Sequence, residues 1–430
     1  MNRPARAALV CCGLAVASGV TAAGGPLAAE RVIEPGGDRF RTAVAAAAPG
    51  DTLVLRPGLH GGPVTIDRTL TIAGEPGAIV AGTGEGSVIT VSAPDVVIRG
   101  LAVRGSGLRL DTQDAGIFVD QAGDRAVIEG NRLEGNLIGI YLWGSDDAIA
   151  RDNTIVGRED LRMNERGNGV QLWDTPGSVV EGNSIQYGRD GIFVTTSREN
   201  VFRDNVIRDL RFAIHYMYTN DSTIRGNVSI GNHAGYALMY SHRLQVVGNL
   251  SYGDRDHGIL LNYKNESVIS GNAVVDGGDK CVFIYNSNKN AFRSNWFEGC
   301  RIGVHFTAGS ERNEMHDNAF VGNRTQVKYV GTRDLDWSSA GRGNYWSDNP
   351  AFDLDGDGIA DRPYRPNDAV DQIVWTHASA KLLLNSPAVQ MVRWAQSAFP
   401  GLHPGGVTDS APLMVPPPVP VLDRLTEPRP

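Results

Sequence analysis

Four aspartates stand close enough along the chain to hold a metal ion together. The run Asp353-Leu-Asp355-Gly-Asp357-Gly358-Ile-Ala-Asp361 puts carboxylates at positions 1, 3, 5 and 9 of a loop, with Gly at position 6. Hard oxygen donors spaced round a glycine turn are what a calcium loop supplies. The bidentate Glu usual at position 12 is missing, and Tyr364 stands there. The reading is a structural Ca site formed by Asp353, Asp355, Asp357 and Asp361. The alternative is an Asp/Gly turn that binds nothing.

A second set is softer. His215, Met217 and Met239 fall on neighbouring repeats, with His233 and His242 nearby in sequence. Imidazole with thioether is a ligand set that suits copper, Cu(I) above all, so transient Cu(I) contact is the chemistry to look for. Met and His on a β face also serve as plain packing residues, and that reading stands beside it. Two other chemistries are absent. No GxxxxGK[ST] phosphate loop occurs, so this chain does not hydrolyse ATP, and no GxSxG nucleophile elbow is present. A net charge of -8 argues against nucleic acid as a partner.

The elements that must position these residues come from a repeat. An apolar residue, any residue, a Gly or Asp, then Asn recurs as Ile128-Glu-Gly-Asn131, Val180-Glu-Gly-Asn183, Phe202-Arg-Asp-Asn205, Ile224-Arg-Gly-Asn227, Val246-Val-Gly-Asn249, Ile269-Ser-Gly-Asn272, Phe292-Arg-Ser-Asn295 and Met315-His-Asp-Asn318, with Asn153 in the same series. Successive Asn residues are separated by 22, 30, 22, 22, 22, 23, 23 and 23 positions. A fixed period near 22 means stacked coils. Within each coil, short runs such as Gly139-Ile-Tyr-Leu142, Gly191-Ile-Phe-Val194 and Gly303-Val-His-Phe306 alternate sides like strands. The fold expected is all-β: a right-handed parallel β-helix. The Asn is expected to take the left-handed backbone of a corner and to bond to the Asn of the next coil as a ladder. A helix over residues 39–48 should cap the first coil.

Alternation also fixes what faces outward. The outward positions read Tyr141/Trp143, Gln171/Trp173, Phe193/Thr195, His215/Met217, Ala237/Met239, Leu260/Asn262, Val282/Ile284 and His305/Thr307. An apolar outward stripe is a docking surface or a surface covered by another part of the chain. Tyr141, Trp143, Trp173 and Phe193 are its candidate partner-binding residues. The step of 30 marks an insertion of about eight residues within the charged stretch 157–168. Residues 387–399 can form a helix carrying Met391, Trp394 and Phe399, and the Pro-rich end after it should be extended or disordered.

The chain divides into a secretory signal peptide (1–29), the solenoid (30–346), a cap with the Asp-rich loop (347–386), and a helix plus extended tail for partner docking (387–430). The signal, with Arg3 and Arg6 before an apolar run, predicts export to the periplasm and membrane association only through a partner. Cys11 and Cys12 fall within it. Cys281 and Cys300 remain, and either a disulfide or two buried thiols is open.

The segments after the ladder carry a resemblance. Gly343-Asn-Tyr-Trp346, the acidic loop 353–361, Arg362-Pro-Tyr364, the stretch 387–399 and Asp409-Ser-Ala-Pro-Leu-Met414 resemble the NosD family of periplasmic maturation proteins of nitrous oxide reductase. The resemblance covers nearly all of the mature chain. The coil pattern alone is shared with carbohydrate-active β-helices. What the resemblance implies is a non-catalytic accessory subunit. Its partners would be the permease and ATPase subunits of an ABC transporter, the copper chaperone NosL and apo nitrous oxide reductase. Its task would be docking or delivery during assembly of the copper–sulfide centre. No agreed copper-ligand motif carries over. The competing readings are a uronate-polymer lyase or epimerase, against which the alginate-epimerase signature Asp-Pro-His-Glu is missing, and a carbohydrate-binding module using Trp143 and Trp173.

Overall fold

The computed structural model describes residues 28–307, 309–331, 333–399 and 406–425. The signal segment, with Cys11 and Cys12, lies outside the described residues except for positions 28 and 29. Each coil gives one strand to each of three parallel sheets of 13, 13 and 12 strands. One full coil runs Val201–Arg203, Val206–Arg208 and Phe212–Asn220, and we number the three sheets in that order. Within these three sheets the strands pair with their counterparts one coil away, as Val201–Arg203 does with Thr223–Arg225. The inward columns close a single apolar core: Phe202, Ile224 and Val246 from the first sheet, Ile207 and Val274 from the second, Ile192, Ile214 and Ile259 from the third. No coil could bury these side chains alone, so stacking and folding are one event.

The ladder forms at the corner between the first and second sheets. Asn205 Oδ1 accepts from the backbone N–H and the Nδ2 of Asn183, both at 3.0 Å. Its own Nδ2 donates to Asn227 Oδ1 and to the Val180 carbonyl, both at 2.9 Å. The same pattern continues to Asn318 and Asn344. The backbone role differs from the expected one. The left-handed residue is the one before each Asn: Gly182 (φ 65°), Asp204 (56°), Gly226 (65°), Ser294 (53°) and Asp317 (54°). The physical reason is a division of labour. The third position of the motif makes the turn, and the Asn, fully buried, fills the hydrogen bonds that the turn exposes.

One interior patch breaks the apolar rule. Ser229 and Ser251 replace the branched residues between Ile207 and Val274. Their hydroxyls donate to Asp254 Oδ2 at 2.6 and 2.5 Å, and the Asn232 N–H donates to Oδ1 at 2.8 Å. Burial dominates even so and pushes the Asp254 carboxyl up to about 6. Cys281 and Cys300 are both buried and joined by a disulfide, with Cα atoms 5.6 Å apart.

Helix α1 (Arg39–Ala46) sinks Phe40 and Val44 into the first coil and closes that end. The other end is closed by the chain returning on itself. Val407–Thr408 pairs with Leu335–Asp336. Asp409 Oδ2 then accepts from the Asn344 N–H (2.7 Å), Asn344 Nδ2 (3.2 Å) and Trp346 Nε1 (2.8 Å), and so takes the place of one more Asn rung. Further on, Val419 and Val421 are buried against Leu250, Ala273 and Val275 on the outer face of the second sheet. Arg424 reaches the Gly226 carbonyl. Of the two expectations for the Pro-rich end, extended or disordered, the stretch 406–425 is a largely extended strap fastened to the solenoid and not a disordered tail. Proline removes donors but leaves apolar surface to bury, and this segment finds a partner surface within its own chain.

Candidate functional site

The residues that could do chemistry lie on the outer face of the third sheet, whose strands are the longest. Asp190–Arg198 pairs with Phe212–Asn220, which pairs with Ala234–Met239. The register sets Phe193 beside His215 and Thr195 beside Met217, then His215 beside Ala237 and Met217 beside Met239. The three candidate copper ligands thus share one face on two adjacent strands. Met217 and Met239 are partly buried and His215 nearly fully so.

His215 has company that the sequence reading missed. Its Nδ1 lies 2.9 Å from Asp190 Oδ2. Arg211 grips the same carboxylate with two bonds, Nε to Oδ1 at 2.8 Å and Nη2 to Oδ2 at 2.5 Å. Burial by itself would raise the Asp190 carboxyl. The hydrogen bonds from His215 and Arg211 outweigh it and hold the group below its usual value. The imidazole is held between Phe193 and Phe212, each with its ring centroid 5.0 Å away, and the Arg211 guanidinium lies 4.5 Å over the Phe212 ring. Asp190 lies one coil before His215, and Arg211 and Phe212 lie just before His215 in its own coil. Aligning coils at the first residue of each third-sheet strand, where Asp190, Phe212, Ala234, His257 and Lys280 stack, is the signal that would have found Asp190 and Phe212.

Farther along, the outward positions are Phe283 and Tyr285, not Val282 and Ile284, which are buried. Cys281 occupies the slot that Gly258 fills one coil earlier, so the alternation starts one residue later than the small-residue pattern implies. Phe283 packs between His257 and His305, at 5.4 and 5.0 Å. Burial depresses both imidazoles, that of His305 to about 4.

The proposed docking residues divide. Tyr141 is buried, in a cluster with Leu137 and Ile138. Two loops cover it: Gln171 beside it bonds to Gln113 of one (3.1 Å) and Asn168 of the other (2.7 Å). The second loop is the insertion, which Arg166 ties together through the Leu161 and Glu159 carbonyls. Tyr141 is thus packing, not an offered surface. Trp143 and Trp173 stack at 5.7 Å and remain partly exposed, as does Phe193. Helix α3 (Pro387–Ala398) packs on helix α2 (Ala369–Thr376) through an Arg393–Asp368 ion pair of 2.9 Å. It leaves Met391 70%, Trp394 67% and Phe399, at its C-terminal end, 59% exposed.

In the acidic loop, oxygens of Asp353, Asp355 and Asp357 lie within 4.8 Å of one another. Asp353 accepts from the Gly356 and Gly358 N–H groups at 2.6 and 2.9 Å, which hold its carboxyl below the usual range. This donor set fits a hard cation. Asp361 sits apart from the trio, its Oδ2 accepting from the Leu354 N–H at 3.0 Å. Tyr364, at the twelfth position, packs on Trp346 at 4.8 Å and donates to Asp348, so it closes the cap.

Comparison with known proteins adds to this geometry. The model of a family described as periplasmic copper-binding protein (NosD) matches residues 151–351. The chain is 41% identical over 388 residues to the probable ABC transporter binding protein NosD of Stutzerimonas stutzeri, covering 87% of this chain and 89% of that protein. It is 40% identical over 395 residues to the protein so named from Pseudomonas aeruginosa, covering 86% and 92%. Among solved structures, the A-module of the mannuronan C-5 epimerase AlgE6 of Azotobacter vinelandii superposes with a TM-score of 0.57 at 16% identity, over 67% of this chain and 89% of that one. That last likeness is one of fold alone.

Proposed function

The chain belongs to the NosD family, and on that premise we propose that it serves an ABC transporter in the periplasm during assembly of the copper–sulfide centre of nitrous oxide reductase. It is a periplasmic binding protein and not an enzyme. In this reading ATP is hydrolysed by a partner subunit. The observation that carries it is the 41% identity, sustained over 87% of the chain, to a protein named for binding an ABC transporter.

The geometry supports a division of tasks. The solenoid is a rigid rod whose third-sheet face carries His215, Met217 and Met239, and copper is cargo held there in passing. These are donors a soft cation selects over water. The cap holds calcium at Asp353, Asp355 and Asp357 as a structural ion. Helix α3 offers Met391, Trp394 and Phe399 to the permease, large apolar side chains of the kind that dominate interfaces. Trp143, Trp173 and Phe193 are the surface for a further partner, with NosL and apo nitrous oxide reductase as the candidates.

Deletion of the gene tests this reading. Nitrous oxide reductase should accumulate at its normal level without its copper–sulfide centre. Active, fully metallated enzyme in the deletion strain would end the proposal.

A further inference from the structure

The Asp190–Arg211 pair does something to His215 beyond packing it. A carboxylate only accepts hydrogen bonds and a guanidinium only donates them. The His215 Nδ1 lies 2.9 Å from Asp190 Oδ2 and 3.3 Å from Arg211 Nη2. It can therefore donate a proton to the carboxylate or accept one from the guanidinium. The distances favour the first. The contact to the carboxylate is the shorter, 2.9 against 3.3 Å, and Arg211 already directs its Nε proton and one of its two Nη2 protons at the oxygens of Asp190. Asp190 itself is 1% exposed and bound at both oxygens, so it cannot swing away. Phe193 and Phe212 flank the ring and fix its plane. The proton then sits on Nδ1, and Nε2 keeps its lone pair.

Met217 lies two residues beyond His215 on the same face of the strand, roughly 7 Å along it. Met239 is its register partner on the next coil. One imidazole nitrogen of fixed tautomer beside two thioethers is a soft-cation set, and a carboxylate behind the histidine is the usual way such a nitrogen is oriented.

We propose that Asp190 and Arg211 are positioning residues of a Cu(I) site: they lock His215 with its proton on Nδ1, so that Nε2 is the ligating nitrogen beside Met217 and Met239. This rests on the reading of that face as the copper-contacting one, and it adds two residues that touch no metal themselves.

The test uses the mature full-length protein and two readouts. Nitrogen-15 NMR of metal-free protein reports the tautomer directly. The proposal expects the His215 proton on Nδ1, and on Nε2 or shared between the nitrogens in an Asp190→Asn/Arg211→Gln double variant, which removes both charges together so that neither is left buried alone. A proton on Nε2 in the native protein overturns the proposal, whether or not copper binds. Cu(I) affinity is measured by competition with bicinchoninate. His215→Ala should abolish the site, and the double variant should weaken it 10- to 100-fold, the usual cost of losing such a partner, with an unchanged melting temperature. If His215→Ala abolishes binding and the double variant binds like the native protein, the positioning role is wrong and the copper-contacting face stands. Failure of His215→Ala to change Cu(I) binding removes the copper reading of this face and the proposal with it.

Discussion

The corner ladder and the outer face of the third sheet are built from the same coils and obey opposite rules. Along the corner, coil after coil repeats one residue, Asn183, Asn205, Asn227 and Asn249, each bonded to the coil on either side. Along the outer face the series reads Tyr141, Gln171, Phe193, His215, Ala237, Leu260, Phe283 and His305, with no two neighbours alike. A rung is fixed from above and below, so a change in it is felt as lost stability. An outward side chain is fixed only in its spacing, so the position is free to acquire binding chemistry. Repetition marks what holds the rod together, and departure from repetition marks where it acts.

The sharpest way to break this comparison is to remove a rung. Asn227→Ala leaves the Asn205 N–H and Nδ2 without their acceptor, two buried donors at 1–3 kcal/mol each. A loss of about 4 kcal/mol is expected by denaturant unfolding, with Cu(I) affinity unchanged in the protein that remains folded. A mild loss would mean that the ladder is redundant. Next in size is Asp254, an interior departure from the apolar rule. Its folded-state value of about 6 lies above the ordinary 3.8, so folding holds the proton more tightly than the unfolded chain does. Stability therefore falls as pH rises from about 4 through 6. Asp254→Asn should remove that slope and raise stability at pH 7 by about 3 kcal/mol, the equivalent of moving a carboxyl from 3.8 to about 6. A pH profile unchanged by the substitution would contradict the assignment.

On the other side of the comparison, Trp394→Ala should weaken association with the transporter by about 2 kcal/mol, roughly 30-fold, the range of an aromatic interface anchor. Because the side chain is 67% exposed, the melting temperature should stay within about 2 °C of the native value. Equal capture of the transporter by native and variant protein would move the docking site off helix α3. Smallest is the cap. Adding EDTA, or substituting Asp355→Asn, should lower stability by about 1 kcal/mol if calcium fills the loop, by mass action. Indifference to EDTA would leave a plain Asp/Gly turn.

What could be read from the chain beforehand follows the same division. The Asn spacing gave the coils, the inward columns and the insertion at 157–168, because a period is a property of sequence. The left-handed corner went to Asn and not to the preceding Gly or Asp, since both residue types tolerate that backbone and only the bonds tell them apart. Val282 and Ile284 were set outward because Cys281 does the work of a glycine there, and a cysteine is not read as a small spacer. Tyr141 looked like surface because the loops that cover it come from other coils. Asp190 was missed for a related reason: it lies 25 residues and one coil from His215, and Arg211, only four residues from His215, shows its role only once that carboxylate is in place. The Pro-rich end concealed a strap whose partner surface is assembled by Leu250, Ala273 and Val275 from separate coils.

One consequence of Asp409 reaches beyond folding of a single copy. A solenoid whose last coil offered open Asn amides and strand edges would be a template for another solenoid, and copies could add end to end without limit. By laying an acidic side chain over Asn344, and Leu413 beside Tyr345 on the last strand of the second sheet, the returning chain covers the ladder's end and that sheet's edge. A carboxylate has no amide protons to hand on, so the series of rungs has no next member. The returning segment thus acts as a chain stopper against fibre growth at this end of the rod.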